Sequence, residues 1–227
     1  MATAKLNREY ALRMYGIGAI MLALSLWSVY DGAVAWPRQN AALDAVRDDL
    51  LAGCRVGVAP EAWLASDETE PGAYPLKKLF AAKGFDVPKH LVQELEAISS
   101  PSSDGDEARL ARAAQAEKLF AEPVYSRAKL NGQFAQAAVT FLLAALAVAA
   151  AVTKRKTEFT VDDEGLSGSG FGGKGIPWDA VASADWSRWD EKGIVTIVLK
   201  DGRRFKLDGW HFAGVRQIVE VLRAKGF

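Results

Sequence analysis

Gly168 to Lys174 reads GSGFGGK, and its glycines fit both GxxxxGK and GxGxxG, the spacings at which backbone N–H groups cradle phosphate. A P-loop needs Ser or Thr after the lysine to hold magnesium, and a helix whose N-terminus faces the phosphate. Gly175 and then Ile176-Pro177-Trp178 supply neither. A kinase-type loop needs a downstream lysine and two aspartates in a large domain, and only about 50 residues follow. The run therefore reads as a hairpin turn, where glycine supplies positive φ. Other chemistry-bearing residues are scattered. His90 and Glu94 stand one helical turn apart, which is a surface pairing; a metal site needs a further ligand. Asp67, Glu68 and Glu70 lack the alternating order of a calcium loop and read as a solvated run. Cys54 is the single cysteine, so an intramolecular disulfide and a Cys-based zinc site are excluded. It reads as a small, semi-buried apolar residue, the alternatives being an intermolecular disulfide or a lipid-modified thiol. His211, beside Trp210, is placed at the start of a final helix as a capping or packing residue. No catalytic, cofactor-binding or metal-binding residue is assigned, and the chain reads as not an enzyme.

The elements that carry these residues are of three kinds. The 28 basic and 28 acidic residues balance, which gives no basic face for nucleic acid. They are also segregated from two apolar blocks. Tyr15–Tyr30 carries no charge, GAVAW extends it to Trp36 apart from Asp31, and Phe134–Val152 is a second uncharged run. Each is long enough to cross a hydrocarbon core of roughly 30 Å at 1.5 Å per helical residue. Tyr10, Tyr15, Tyr30 and Trp36 lie towards the ends, where aromatic rings prefer the interface, and Pro37 is expected to end or kink the first helix. The alanines of the second block permit close packing against the first span or a second copy. Asp31 reads as an interfacial side chain reaching water; a proton relay would need a partner in a span. Lys5, Arg8 and Arg13 precede the first block, and Lys154, Arg155 and Lys156 follow the second, which places both termini in the cytoplasm. Ala33-Val34-Ala35 leaves a competing reading, a cleaved signal peptide.

Between the blocks, residues 38–52 put Ala42, Leu43, Val46, Leu50 and Leu51 at helical spacing. A loop is expected over 53–73, then a short helix ended by Gly84, another opened by Pro88, and a third over EARLARAAQAEKLFAEP, with Asp104 or Asp106 as cap and Pro123 as stop. Leu76, Leu79, Phe80, Leu91, Leu95, Ile98, Leu110, Leu119 and Phe120 are its expected core. That core is modest, so packing across a dimer or on another protein is expected.

After Thr157 come short β-type segments separated by turn residues: TEFTVDDEGL, GIPW, VASADWSRW, GIVTIVLK and RRFKL. Asp201-Gly202 signals a two-residue hairpin turn with positive φ at both positions. Phe212, Val215, Ile218, Val219 and Leu222 form the stripe of a closing helix, with Arg216, Gln217, Glu220 and Arg223 on its wet face. An opening strand ending in Glu164-Gly165-Leu166, the Ile176–Val181 segment, the Gly193–Lys200 and Arg203–Leu207 hairpin and the closing helix together resemble the bacterial PH-like domains found beside transmembrane helices. The first third of such a sandwich is abbreviated here. The resemblance implies a binding or scaffolding module on an incompletely closed barrel. It does not imply a phosphoinositide site, because the first hairpin lacks a dense Lys/Arg cluster.

The expected class is thus an α+β membrane protein, and the expected parts are a cytoplasmic N-terminus (1–14), a transmembrane helix (15–36), an extracytoplasmic helical segment (37–132), a second transmembrane helix (133–153) and a cytoplasmic PH-like barrel or sandwich (154–227), in a bacterial inner membrane. Lys154, Arg155, Lys156, Arg203, Arg204 and Lys206 are the candidate contacts for anionic lipid, at about 1 kcal/mol per basic residue near the surface; a solvated face is the alternative. The expected partners are the bilayer, a second protein and, alternatively, a second copy of the chain, with no nucleic acid and no cofactor. A membrane-anchored scaffold leads, against a signal-transmitting subunit or an accessory subunit of a transporter or membrane enzyme.

Overall fold

In the computed structural model, residues 1–65, 75–99 and 106–227 are described. The acidic run Asp67, Glu68 and Glu70 lies outside them, as does side-chain capping by Asp104 or Asp106. The chain is α+β, with two antiparallel sheets and two long apolar helices. It divides into two compact units, residues 1–23 with 140–227, and residues 24–139.

The long helices are α1 (Arg8–Tyr30) and α7 (Arg127–Lys154), both long and apolar enough to cross a membrane. Their outward side chains are largely uncovered by the described residues: Ile20, Leu26, Trp27, Phe141, Leu142 and Leu146 are each more than half exposed. The buried stripes are small. Gly18, Ser25 and Gly32 recur every seven residues on one helical run, and Ala137, Ala144 and Ala151 on the other. A Cβ at Gly18 would come within 2.9 Å of Val148 Cγ2, and one at Gly32 within 3.2 Å of Gln133 Cβ and of the Phe134 ring. Ser25 Oγ donates to the Ala137 carbonyl at 2.9 Å, so the buried hydroxyl is satisfied.

Pro37 does not end the first helix. A π-helical turn, Asp31–Ala35, joins α1 to α2 (Trp36–Arg55), giving an unbroken run from Arg8 to Arg55. The Trp36 N–H bonds to the Asp31 carbonyl, one residue further back than in an α-helix. Widening the turn at this point accommodates a proline that has no N–H to give the ladder. Ala42, Leu43, Val46, Leu50 and Cys54 of α2 then pack with α4 (Leu76–Ala82), α5 (Lys89–Ser99) and α6 (Asp106–Ala121), which bring Leu76, Phe80, Leu91, Leu95 and Phe120. Two features of this unit differ from expectation. The loop after Gly53 contains a short helix, α3 (Pro60–Leu64), whose Trp63 is buried against Gly53 and edge-on to Phe120. Leu110, expected in the core, is 66% exposed.

The β-rich unit contains a strand from the very start of the sequence. β1 (Ala2–Leu6) pairs antiparallel with β2 (Glu158–Val161) on one side, Ala4 opposite Phe159, and with β8 (Phe212–Ala213) on the other. With β3 (Gly165–Ser167) and β4 (Ile176–Pro177) the sheet order is β4-β3-β2-β1-β8. The second sheet is β5 (Val181–Arg188), β6 (Ile194–Leu199) and β7 (Arg204–Asp208), and the two sheets do not join into a closed barrel. Beyond a short helix, α8 (Trp189–Lys192), the closing helix α9 (Val215–Ala224) buries Val215, Ile218, Val219 and Leu222 in one cluster with both sheets. Ala2 and Ala4 alternate to the buried face of β1, where their small size lets α9 come close. Phe212 lies in β8, and α9 starts only at Val215, because Gly214 breaks the chain at φ +95°; a Cβ there would lie 2.2 Å from the Thr3 carbonyl oxygen. The hairpin at Asp201-Gly202 also differs. Only Gly202 has positive φ, and Gly202 N–H bonds to the Leu199 carbonyl at 3.0 Å while Leu199 N–H bonds to that of Arg203. This is a three-residue loop ending in a glycine bulge. The Asp201 carboxylate stabilises it by accepting from the Arg203 N–H and Nε.

Candidate functional site

The densest polar constellation in the β-rich unit forms where α1 leaves β1. Strand pairing stops at Leu6, and Asn7 turns the chain: its N–H donates to the His211 carbonyl at 2.8 Å, and its Oδ1 accepts from the Glu9 N–H at 3.0 Å as the cap of α1. One turn on, Tyr10 is buried, with its ring edge-on to His211 at 4.6 Å and Lys154 Nζ 5.1 Å from its centroid. The first turn of α1 and the last residue of α7 thus meet on one side chain.

Asp208 organises the opposite wall. Its side chain is nine-tenths buried, Oδ1 accepts from the Trp210 N–H at 3.0 Å, and Oδ2 lies 2.9 Å from His211 Nδ1 and 3.5 Å from Lys206 Nζ. A buried carboxylate needs such partners to offset its lost hydration. Burial holds the His211 imidazole below its ordinary pKa, Lys154 and Lys206 push the same way, and Asp208 opposes them. His211 is therefore neutral at pH 7. Trp210, at the tip of the turn, is 55% exposed, and the Arg13 guanidinium carbon lies 4.8 Å from its ring centroid.

The six basic candidates divide in two. Lys154 and Lys206 join the cluster around Asp208, and Arg155 and Lys156 follow Lys154 directly. Arg203 instead pairs with Asp201 at the hairpin tip, and Arg204 lies four residues up the strand from Asp208, about 14 Å at 3.4 Å per residue. Arg13, Tyr10, Asp208 and Trp210 escaped assignment as site residues. A signal existed for two of them, since Asp208-Gly209-Trp210-His211 after a strand has the form of an Asx turn.

The remaining candidates stay apart. The Gly168–Lys174 run holds a 3₁₀ turn, Ser169–Phe171, whose Phe171 is buried, and Gly170 is pressed on the Phe159 ring. Ser169 Oγ ties it back by donating to the Lys156 carbonyl and accepting from the Glu158 N–H. The strand β4 follows it as the next element, so no α-helix N-terminus is presented to a phosphate. In the helical unit, His90 Nε2 lies 3.7 Å from Glu94 as the spacing predicts, and its ring stacks at 5.9 Å on Tyr125, itself stacked at 4.2 Å on Trp36. Tyr125 and Asn40 exchange hydrogen bonds, N–H to Oδ1 at 2.8 Å and Nδ2 to the carbonyl at 2.9 Å. Cys54 is buried, and desolvation, with Glu117 adding, pushes its thiol up to about 11, which suppresses the reactive thiolate. Among the described residues no group of three His, Cys, Asp or Glu side chains is placed to hold a metal ion.

No family model, no curated protein and no solved structure matches this chain.

The groups of the cluster are largely engaged with one another. Its buried carboxylate, Asp208, is spent on His211, Lys206 and a backbone N–H, and its tyrosine is enclosed by a cation and an imidazole. What it offers outward is cationic and aromatic: Arg13, Lys206 and Trp210.

Proposed function

We propose that this chain is a non-enzymatic, membrane-anchored binding or scaffold protein, with α1 and α7 as its spans and the β-rich unit as a PH-like docking module on the cytoplasmic face of a bacterial inner membrane. The observation that carries the proposal is β1. A strand preceding the first span is an internal member of a sheet whose other strands follow the second, so the near end of α1 and the far end of α7 are fixed in one folded body. Two spans that leave and return to one body need a pair of crossings, which supports a double-pass arrangement with both termini on one side. It also disfavours cleavage after Ala35, which would strip an internal strand from the sheet. The lipid-facing alternative for the exposed Leu, Ile and Phe side chains of α1 and α7 is water, where each would forfeit roughly 1.5–3 kcal/mol of burial. The PH-like reading is supported by the two antiparallel sheets closed by one helix, with β1 supplying strand that the abbreviated first third lacks.

The test is a gentle-detergent pull-down with mass spectrometry, run on the full chain and on one lacking residues 158–227. Partners lost with the deletion are expected; a full chain that captures nothing beyond the deleted one overturns the docking role. Reporter fusions at the two termini should give the same sidedness, and opposite sidedness overturns the double-pass arrangement.

A second reading, transmission of an outer event to the β-rich unit, is favoured by the joints. α1 enters α2 through a helical turn with no linker, and Asn7 caps α1 one residue after the sheet ends. Flexible connectors would dissipate a movement of the helices, whereas stiff ones deliver it.

A further inference from the structure

We propose that the Asp208–His211 turn and the first turns of α1 form a binding site for the headgroup of an anionic phospholipid, with Trp210 in the interfacial layer and Arg13 on the phosphate. The proposal rests on the reading of α1 as a span.

Its first support is Trp210 itself. Of the large hydrophobic side chains in residues 155–227 it alone is exposed. Yet its backbone is held firmly: its N–H donates to Asp208, and its carbonyl accepts from Asn7 Nδ2 at 3.4 Å. A rigid turn that presents an indole outward is a built feature, and an indole prefers the boundary between headgroups and acyl chains to water.

The second support is level. Arg13 reaches over the Trp210 ring, and Arg13 precedes the uncharged run at Tyr15 by two residues, about 3 Å of helix axis. The ring therefore lies where charge ends and the apolar span begins, which is headgroup depth.

Charge is the third. Arg13, Lys154 and Lys206 surround the turn with Glu9 and Asp208 as the opposing carboxylates. Asp208 is consumed internally. Glu9 touches Arg13 at only 3.7 Å and is 79% exposed, so the guanidinium keeps donors for a phosphate, which it can grip in two-pronged fashion. Arg203 and Arg204, at the far end of β7, belong to no such site.

The experiment reconstitutes the full chain in phosphatidylcholine nanodiscs with and without phosphatidylglycerol, and counts lipids retained on the protein by native mass spectrometry. The wild-type chain should retain phosphatidylglycerol preferentially. Arg13→Gln should lower that preference about fivefold, the equivalent of roughly 1 kcal/mol for one basic residue at the surface. Trp210→Ala should lower it too, Arg13→Lys should recover most of it, and the double variant Arg203→Gln/Arg204→Gln should leave it unchanged. An unchanged preference in Arg13→Gln and Trp210→Ala, or an equal loss in the hairpin variant, overturns the site. Alkaline extraction of the wild-type chain separates the two readings: release from vesicles sinks the spanning reading and the site together, whereas retention with an unaltered lipid preference sinks the site alone.

Discussion

Asp208 and His211 show how one buried carboxylate can set the behaviour of its neighbourhood. Replacing Asp208 by Ala strands the Trp210 N–H and leaves Lys206 and Lys154 facing each other without a counter-charge. The expected loss is about 2 kcal/mol, read as a lowered denaturation midpoint of the β-rich unit at unchanged slope. His211 adds a pH dependence whose sign follows from its depressed pKa. Above roughly pH 6.5 it is neutral folded and unfolded alike and contributes nothing; as pH falls below that value the unfolded chain takes the proton more readily, and stability declines towards the folded-state pKa. His211→Gln should flatten the stability profile between pH 7 and 5, and an unaltered profile would assign the dependence to other groups. Cys54 belongs at this scale as well. Its raised pKa and burial predict negligible maleimide labelling of the native chain and full labelling in denaturant.

Elements were legible in the sequence where their period was long enough to count. α9 was, because five apolar residues at helical spacing all proved buried, though Phe212 turned out to lie in a strand ahead of Gly214. So were α2, α4, α5 and α6, and the two apolar helices. β1 was not: ATAKL offers two alanines as its inward face, too little hydrophobicity to mark a strand, and its partners lie more than 150 residues away. α3 hid in a segment rich in Pro, Gly and acids, where the fixed position of Trp63 depends on a glycine ten residues earlier. That contact is testable. A Cβ at Gly53 would lie 2.4 Å from the Trp63 ring, so Gly53→Ala, a change that normally favours a helix, should instead destabilise the helical unit by roughly 1–3 kcal/mol, measured by thermal unfolding. The candidate site was half legible for the same reason. Its lysines follow an apolar block and catch the eye, whereas Tyr10 and Asp208 acquire meaning only once β1 has been paired.

At the scale of the whole molecule, the feature with the widest reach is a sheet assembled from the two ends of the chain. Ala4 is fully buried opposite Phe159. Ala4→Asp should therefore bury an unpaired charge and expose residues 158–227 to proteolysis, although the substitution lies far from them in sequence. Intact protease resistance in that variant would show β1 to be dispensable, and with it the argument that the near end of α1 and the far end of α7 are fixed in one body.

Because β1 is made first and β2 only after α7, the ribosome must finish more than 150 intervening residues before the pair can form. At 5–20 residues per second that is a wait of roughly 8–30 s. In the double-pass arrangement proposed above, both apolar helices must enter the membrane during that wait and the chain must return to the side from which it started. A copy that inserts only once, or in the wrong sense, leaves β1 on the opposite side from its partners and the sheet without an internal strand. On that reading, completion of the sheet records that insertion went correctly, and the proposed docking is withheld from copies that failed.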